Sequence, residues 1–190
     1  MKKKGTLFII SAPSGSGKTT LCNRLVDSLD GLSRSISMTT RPPRIGERDG
    51  MDYIFLEKAE FLKRKKKGEF LEWAKVFDEY YGTPKKYVKH LTEKGQDVLL
   101  SIDVQGAMKT RRLKMQAAFI FILPPSLAML KERLARRSTN SNKEIAGRLK
   151  VVKKELSYLS KYDYVVVNNV LESALDSLRS IIIAERCRVK

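Results

Sequence analysis

An uncharged run, Thr6 to Ser11, leads into APSGSGKTT, and Lys18 to Leu29 then carries Leu21, Leu25 and Leu29 on one helical face with Gly31 beyond it. Buried strand, glycine-rich turn, amphipathic helix: this order constrains the chain more than any other feature. The turn, Ala12, Pro13, Ser14, Gly15, Ser16, Gly17, Lys18, Thr19 and Thr20, is one residue short of the phosphate-loop pattern G-x-x-x-x-G-K-[ST], because Ala12 holds the place of the first glycine. Alanine is the smallest side chain after glycine and is accepted there if its φ is negative. The chemistry is otherwise complete. Gly15 and Gly17 let backbone N–H groups curl inward, the helix that follows presents its positive end, Lys18 adds a point charge, and the Thr19 hydroxyl can ligate Mg²⁺. A nucleotide polyphosphate site is expected, rather than a turn that happens to hold a lysine.

At 190 residues and 42% hydrophobic content, the chain has material for one core with embellishments. Its longest apolar runs, such as Ala117 to Leu123, fall far short of the ~18 residues of a membrane span. The start MKKKGTLFIISA imitates a secretory signal, but cleavage after Ala12 would destroy the loop. With two cysteines and no disulfide framework, a cytoplasmic protein is expected. The 38 Lys+Arg against 21 Asp+Glu give a formal charge of +17, a field that attracts anions. Small phosphorylated ligands account for it better than nucleic acid. The densest run, KRKKKGE from Lys63, follows EKAEFL and ends at Gly68, which reads as the solvated last turn of a helix with a glycine cap. It lacks the interleaved aromatics of a nucleic-acid platform, so no specific nucleic-acid partner is expected.

Further apolar runs, Asp97 to Asp103, Ala117 to Leu123 and Tyr164 to Asn169, alternate with helical patterns, which argues for a parallel sheet covered on both faces. Ser126 is a candidate N-cap for a helix carrying Leu127, Leu130 and Leu134. Ile145, Leu149, Val152, Leu156 and Leu159 mark the next helix, and Leu171, Leu175, Leu178 and Ile182 the last. Two segments break the rhythm. Residues 35–89, rich in Arg, Tyr, Gly and Pro, are expected to form a smaller insertion, and the polar, basic residues 133–148 a mobile flap. The core is then 1–34, 90–132 and 149–190, an α/β fold in three layers.

A phosphate loop alone does not separate ATPase, GTPase and kinase. No NKxD guanine-reading motif of the GTPase type occurs, and Asp103 ends the strand LLSID. SISMTTRPPRIGERDGMDYIF places Arg41, Arg44 and Tyr53 together, and FLEWAKVFDEYYGTPK adds Glu72, Tyr81 and Thr83. Taken singly these are a surface cation, a strand carboxylate and half-buried tyrosines. Together with SAPSGSGKTT, IDVQGA, ILPPSLAMLKERLARRST and EIAGRL they resemble the guanylate kinase family of phosphate-loop nucleoside monophosphate kinases over essentially the whole chain.

That resemblance implies a parallel core with an inserted GMP-binding part and a lid, and the reaction ATP + GMP to ADP + GDP with Mg²⁺. By position it assigns Ser37, Arg41, Arg44, Tyr53 and Tyr81 to the GMP phosphate, and Glu72 and Thr83 to the guanine base. Lys18 and Thr19 serve ATP and Mg²⁺, and Asp103 faces the metal and the GMP side. Arg133, Arg137 and Arg148 match lid arginines, and Asn168 falls where the adenine of ATP is expected. Base reading makes sense independently: a carboxylate accepts from guanine N1–H and N2–H₂, whereas adenine presents an acceptor at N1. No side-chain base is needed, since the attacking phosphate, with a second pKa near ~6, is already mostly ionised. A kinase for another nucleoside monophosphate, and a binding module that has lost catalysis, are the rival readings. Glu72 speaks against the first, and Lys18, Thr19, Arg41 and Arg44 against the second. The family's usual acidic residue two positions before Asp103 is Ser101 here, and RRSTNS replaces the lid's usual glycine and acidic residues.

Overall fold

A computed structural model of the protein describes residues 4–76, 78–126, 128–131 and 142–189, with 142–146, 148 and 149 by backbone position only. Nine strands and six longer helices appear among them. The core is a five-stranded sheet of β1 (Leu7–Ser11), β2 (Leu32–Arg34), β7 (Asp97–Ser101), β8 (Ala117–Leu123) and β9 (Tyr164–Val167), in the order β2-β7-β1-β8-β9. Every pairing in it is parallel. Parallel strands need helical crossovers that cover both faces, which explains why β1 is buried at all five residues.

The alternation along β1 sorts those residues into two layers. Phe8 and Ile10 meet Leu21 and Leu25 of α1 (Lys18–Asp27) and Leu175, Leu178 and Ile182 of the last helix, α6 (Leu171–Cys187). Leu7 and Ile9 face the other way, onto Val88 of α3 (Lys85–Glu93) and Val104 and Ala107 of α4 (Val104–Arg112). A large aliphatic or aromatic side chain buried this completely contributes about 1.5–3 kcal/mol, so the sheet and its two helical layers carry most of the fold.

The second sheet is built entirely between Met38 and Pro84: β3 (Met38–Thr39), β4 (Ile54–Phe55), β5 (Phe70–Val76) and β6 (Glu79–Pro84), ordered β4-β3-β6-β5. It is mixed, with β3 parallel to β4 and β6 antiparallel to both β3 and β5. The helix α2 (Lys58–Lys66) ends in a left-handed Gly68 (φ 68°), whose N–H bonds the Lys65 carbonyl while Glu69 N–H bonds that of Arg64. This is the glycine stop expected after the basic run.

Some boundaries differ from the sequence reading. The insertion's expected end at Lys89 falls inside α3, whose apolar stripe docks on the core and carries the helix on to Glu93. The expected flap also gives way to helix at its second half, because α5 (Asn142–Leu156) begins within it and Gly147 alone does not break the pattern. Leu159 lies past the end of α5, in a short 3₁₀ turn, Leu159–Lys161. Ser126 caps as expected: its Oγ accepts from Met129 N–H at 3.1 Å, and residues 128–131 are helical.

Candidate active site

The glycine-rich loop joins the carboxyl end of β1 to α1. Gly15 and Gly17 have φ of 89° and 83°, which only glycine adopts without strain, while Ala12 is not among the residues with positive φ. The alanine therefore fits. Gly17 is the N-cap of α1, and no acidic residue sits in that helix's first turn to cancel its positive end. Lys18 is held inward, its Nζ donating to the Ile102 carbonyl at 2.9 Å. Burial lowers its pKa from the ordinary lysine value, against the opposing pull of Cys22, Asp103 and Glu155.

Ile102 and Asp103 follow β7, the strand beside β1. Asp103 caps α4, with Oδ1 accepting from Gly106 N–H at 2.8 Å. Burial raises its pKa, partly offset by that bond and by Lys18. Opposite, the second sheet supplies Glu72. It lies on the same face of β5 as the buried Ala74, past a register shift that turns Phe70 to the other side, and is only 6% exposed. Its register partner on β6 is Thr83, whose Oγ1 donates to Glu72 Oε1 at 2.6 Å. Burial pushes the Glu72 carboxyl up to about 7, with Thr83 opposing and Asp103 adding. The result is a buried acceptor pair with one hydroxyl beside it.

The arginine segment forms the third wall. Arg41 makes two bonds to Glu47, at 2.8 and 2.9 Å, and Glu47 also accepts from Arg44 N–H at 2.8 Å. The Arg41 guanidinium lies 5.3 Å from the Tyr53 ring centroid, and Tyr53 meets Tyr81 edge-on at 6.1 Å.

One cavity of about 270 Å³ joins these walls. Ala12 to Gly15, Gly17 to Thr20, Ser37, Arg44, Tyr53, Glu72, Tyr81 and Asp103 line it. Four expected residues stand just behind its surface. Ser16 is buried within the loop, Thr83 bonds Glu72, Arg41 backs Tyr53, and Asn168 is buried against the loop with its Nδ2 on the Ser16 carbonyl at 2.8 Å. Arg133 and Arg137 lie outside the described residues, and Arg148 is known only as a position on α5. A larger, more open cavity of about 1020 Å³ between α2 and α3 contains none of the expected residues.

The sequence reading missed Glu155 and Glu47. Glu155 lines the cavity from α5, and burial pushes its carboxyl up to about 7, opposed by Lys18. Its signal was a carboxylate beside Val152 and Leu156 on an apolar stripe. For Glu47, a small loop of opposite charges around prolines was the signal. Ser101 lines the cavity where the family usually has an acidic residue, and Asp103 and Glu155 are the carboxylates that hold the Lys18 charge against its burial.

The family model for guanylate kinase matches residues 4–185. A guanylate kinase of Caldanaerobacter subterraneus subsp. tengcongensis is 50% identical over 189 residues, covering 100% of this chain and 92% of that protein. One from Thermotoga maritima is 44% identical, over 98% of this chain and 90% of its own length. The crystal structure of guanylate kinase from Anaplasma phagocytophilum superposes with a TM-score of 0.84 at 35% identity, covering 99% of this chain and 89% of that one. With its family match running from the first core strand into the last helix, and its relatives matched over nearly their full length, the chain belongs to the guanylate kinase family.

Proposed function

We propose that the chain transfers the γ-phosphoryl group of ATP to GMP, giving ADP and GDP. The observation that carries this reading is the facing of two unlike recognition groups across one cavity: the glycine-rich loop with Lys18, and the buried Glu72–Thr83 pair. The first suits a polyphosphate, the second the guanine edge, since Glu72 can accept from N1–H and N2–H₂, and Thr83 donates to O6 once its one hydroxyl proton turns away from Glu72 Oε1. Ser37, Arg41, Arg44, Tyr53 and Tyr81 hold the GMP phosphate, with Glu47 fixing Arg41 and the Arg44 backbone. Asn168 stands on the ATP side.

Catalysis in this reading is alignment of two anions and neutralisation of the charge that moves between them. The ionised GMP phosphate attacks the γ-phosphorus, the bond to the β–γ bridging oxygen breaks, and ADP leaves. Lys18 stabilises the developing charge once ATP draws its ammonium off the Ile102 carbonyl. Thr19 and Asp103 are hard oxygen donors that both line the cavity, suited to Mg²⁺ carried in with ATP, which would neutralise the phosphates. Arg133, Arg137 and Arg148 belong to the lid in this scheme. The parts are a core of 1–34, 90–132 and 149–190, a GMP-binding insertion of 35–89 whose last residues run into the core through α3, and a lid of 133–148 whose second half is the start of α5. No helix among the described residues is long and apolar enough to cross a membrane, and both cysteines are free. We place the reaction in the cytoplasm.

A coupled ADP-release assay with Mg-ATP and GMP, AMP, CMP, UMP or dTMP tests the reading. GMP is expected to win by ~10³ or more in kcat/KM, because a buried carboxylate facing an acceptor is costly. Preference for AMP or dTMP overturns it.

A further inference from the structure

Asn168 directly follows β9 and is buried, 5% exposed. Its backbone N–H bonds the Leu123 carbonyl at 2.8 Å, tying it to the end of β8. Its side-chain Nδ2 donates to the Ser16 carbonyl at 2.8 Å, across 152 residues of sequence. Carbonyl and N–H of a trans peptide point to opposite sides, and no cis peptide occurs among the described residues. With the Ser16 carbonyl drawn back to Asn168, the N–H of Gly17 in the same peptide unit is turned the other way. Gly15, Gly17, Lys18 and Thr19 line the cavity, and Ser16 and Asn168 do not. The fit is close: a Cβ on Gly17 would stand 2.5 Å from Asn168 Nδ2.

We propose that Asn168 is a positioning residue for the phosphates of the donor nucleotide, acting through the Ser16–Gly17 peptide and independently of the base. The inference rests on the loop's reading as the ATP site. It assigns Asn168 to the phosphate loop rather than to adenine. Two spans of sequence then build the phosphate cradle, the loop itself and the end of an outer strand of the core sheet. The amide's work is orientation of a donor before the ligand arrives, which spares the loop that reorganisation on binding.

The test uses Asn168→Asp, which keeps the shape but sets an acceptor against the Ser16 carbonyl, and Asn168→Ala, which removes the amide. Dissociation constants of ADP, CDP and inorganic tripolyphosphate are measured by calorimetry with GMP saturating, a mixture in which the two diphosphates cannot donate a γ-phosphoryl group. GMP binding alone is followed by the fluorescence of Trp73, the single tryptophan, which neighbours Glu72 on β5. Both variants are expected to lose about tenfold or more for all three probes by a similar factor, with GMP affinity within about twofold of the parent. Loss for ADP with CDP and tripolyphosphate unchanged would make Asn168 an adenine reader and overturn the proposal. So would unchanged binding of all three, or equal loss of GMP binding, which marks general damage to the fold. The parent's choice of monophosphate is read separately, so a failure of the GMP assignment stays distinguishable from a failure of the loop anchor.

Discussion

Glu72 is pulled between two protonation states by its surroundings. Burial raises its pKa from 4.5 to about 7. The stabilisation that the protonated form lends the fold is complete below about 4.5 and is lost as pH rises through about 7. Guanine reverses this preference, because its N–H donors require the ionised acceptor. GMP binding at pH 7 is therefore expected to release about half a proton from Glu72, and GMP affinity to rise between about pH 6 and pH 8. Calorimetry in buffers of different ionisation enthalpy measures the release. Glu72→Gln is expected to abolish that release and to lower kcat/KM for GMP by ~10² or more, since one charge-assisted bond is lost and an N–H donor is set against another. Proton release that persists in the variant would assign it to a different group. The acceptor chemistry of Glu72 was legible from the residue type and from the motif around it. Its raised pKa was not, because desolvation depends on the sheet around Thr83 and on Gly106 of α4, which only folding brings against the carboxylate.

The packing of α4 on β5 joins the core to the second sheet, and its closest approach is at Gly106. A Cβ there would stand 2.5 Å from Glu72 Oε2, 3.0 Å from Glu72 Cδ and 3.1 Å from Asp103 Oδ1. The glycine's φ is not positive, so it is space rather than backbone conformation that requires it. One turn further on, Lys109 Nζ bonds the Trp73 carbonyl at 2.5 Å and lies 4.0 Å from that ring's centroid. Gly106→Ala is expected to cost about 1–3 kcal/mol of stability through overpacking, and to raise KM for GMP at least tenfold more than KM for ATP. Thermal unfolding and two-substrate kinetics check this, and equal effects on both substrates would mean that Gly106 does not hold the Glu72 wall. Helices and strands of this kind were largely legible as elements. Ala117 to Leu123 forms β8 to the residue, and the stripe Leu171, Leu175, Leu178, Ile182 forms α6. Ends were less so: α3 and α5 run across expected boundaries because their apolar faces find partners in the core that local sequence does not display.

The formal charge of +17 is partly engaged in local pairs. On α2, the densest basic run, Lys63 and Arg64 are paired with Glu60, and Lys65 lies 3.6 Å from the Trp73 ring centroid. Other cations are spent on Glu172, Asp163 and Asp176. Binding to a random DNA duplex is accordingly expected to be no tighter than micromolar and to fall ~10²-fold or more as salt rises from ~50 to ~200 mM, read by fluorescence anisotropy. Submicromolar binding at the upper salt would restore a nucleic-acid role. The chain's order of apolar runs and glycine stops dictated a parallel sheet under two helical layers, since strand and helix periods and left-handed caps are local properties. The loop's phosphate chemistry was local as well, because nine consecutive residues contain it. The pairing of Glu72 with Thr83, the inward turn of Lys18 onto Ile102, the entry of Glu155 and the anchoring of Ser16 by Asn168 were decided only by tertiary structure. Each joins residues 11 to 152 positions apart or meets across a shared cavity, where strand pairing and the order of strands within each sheet, and no spacing in the sequence, set the distance.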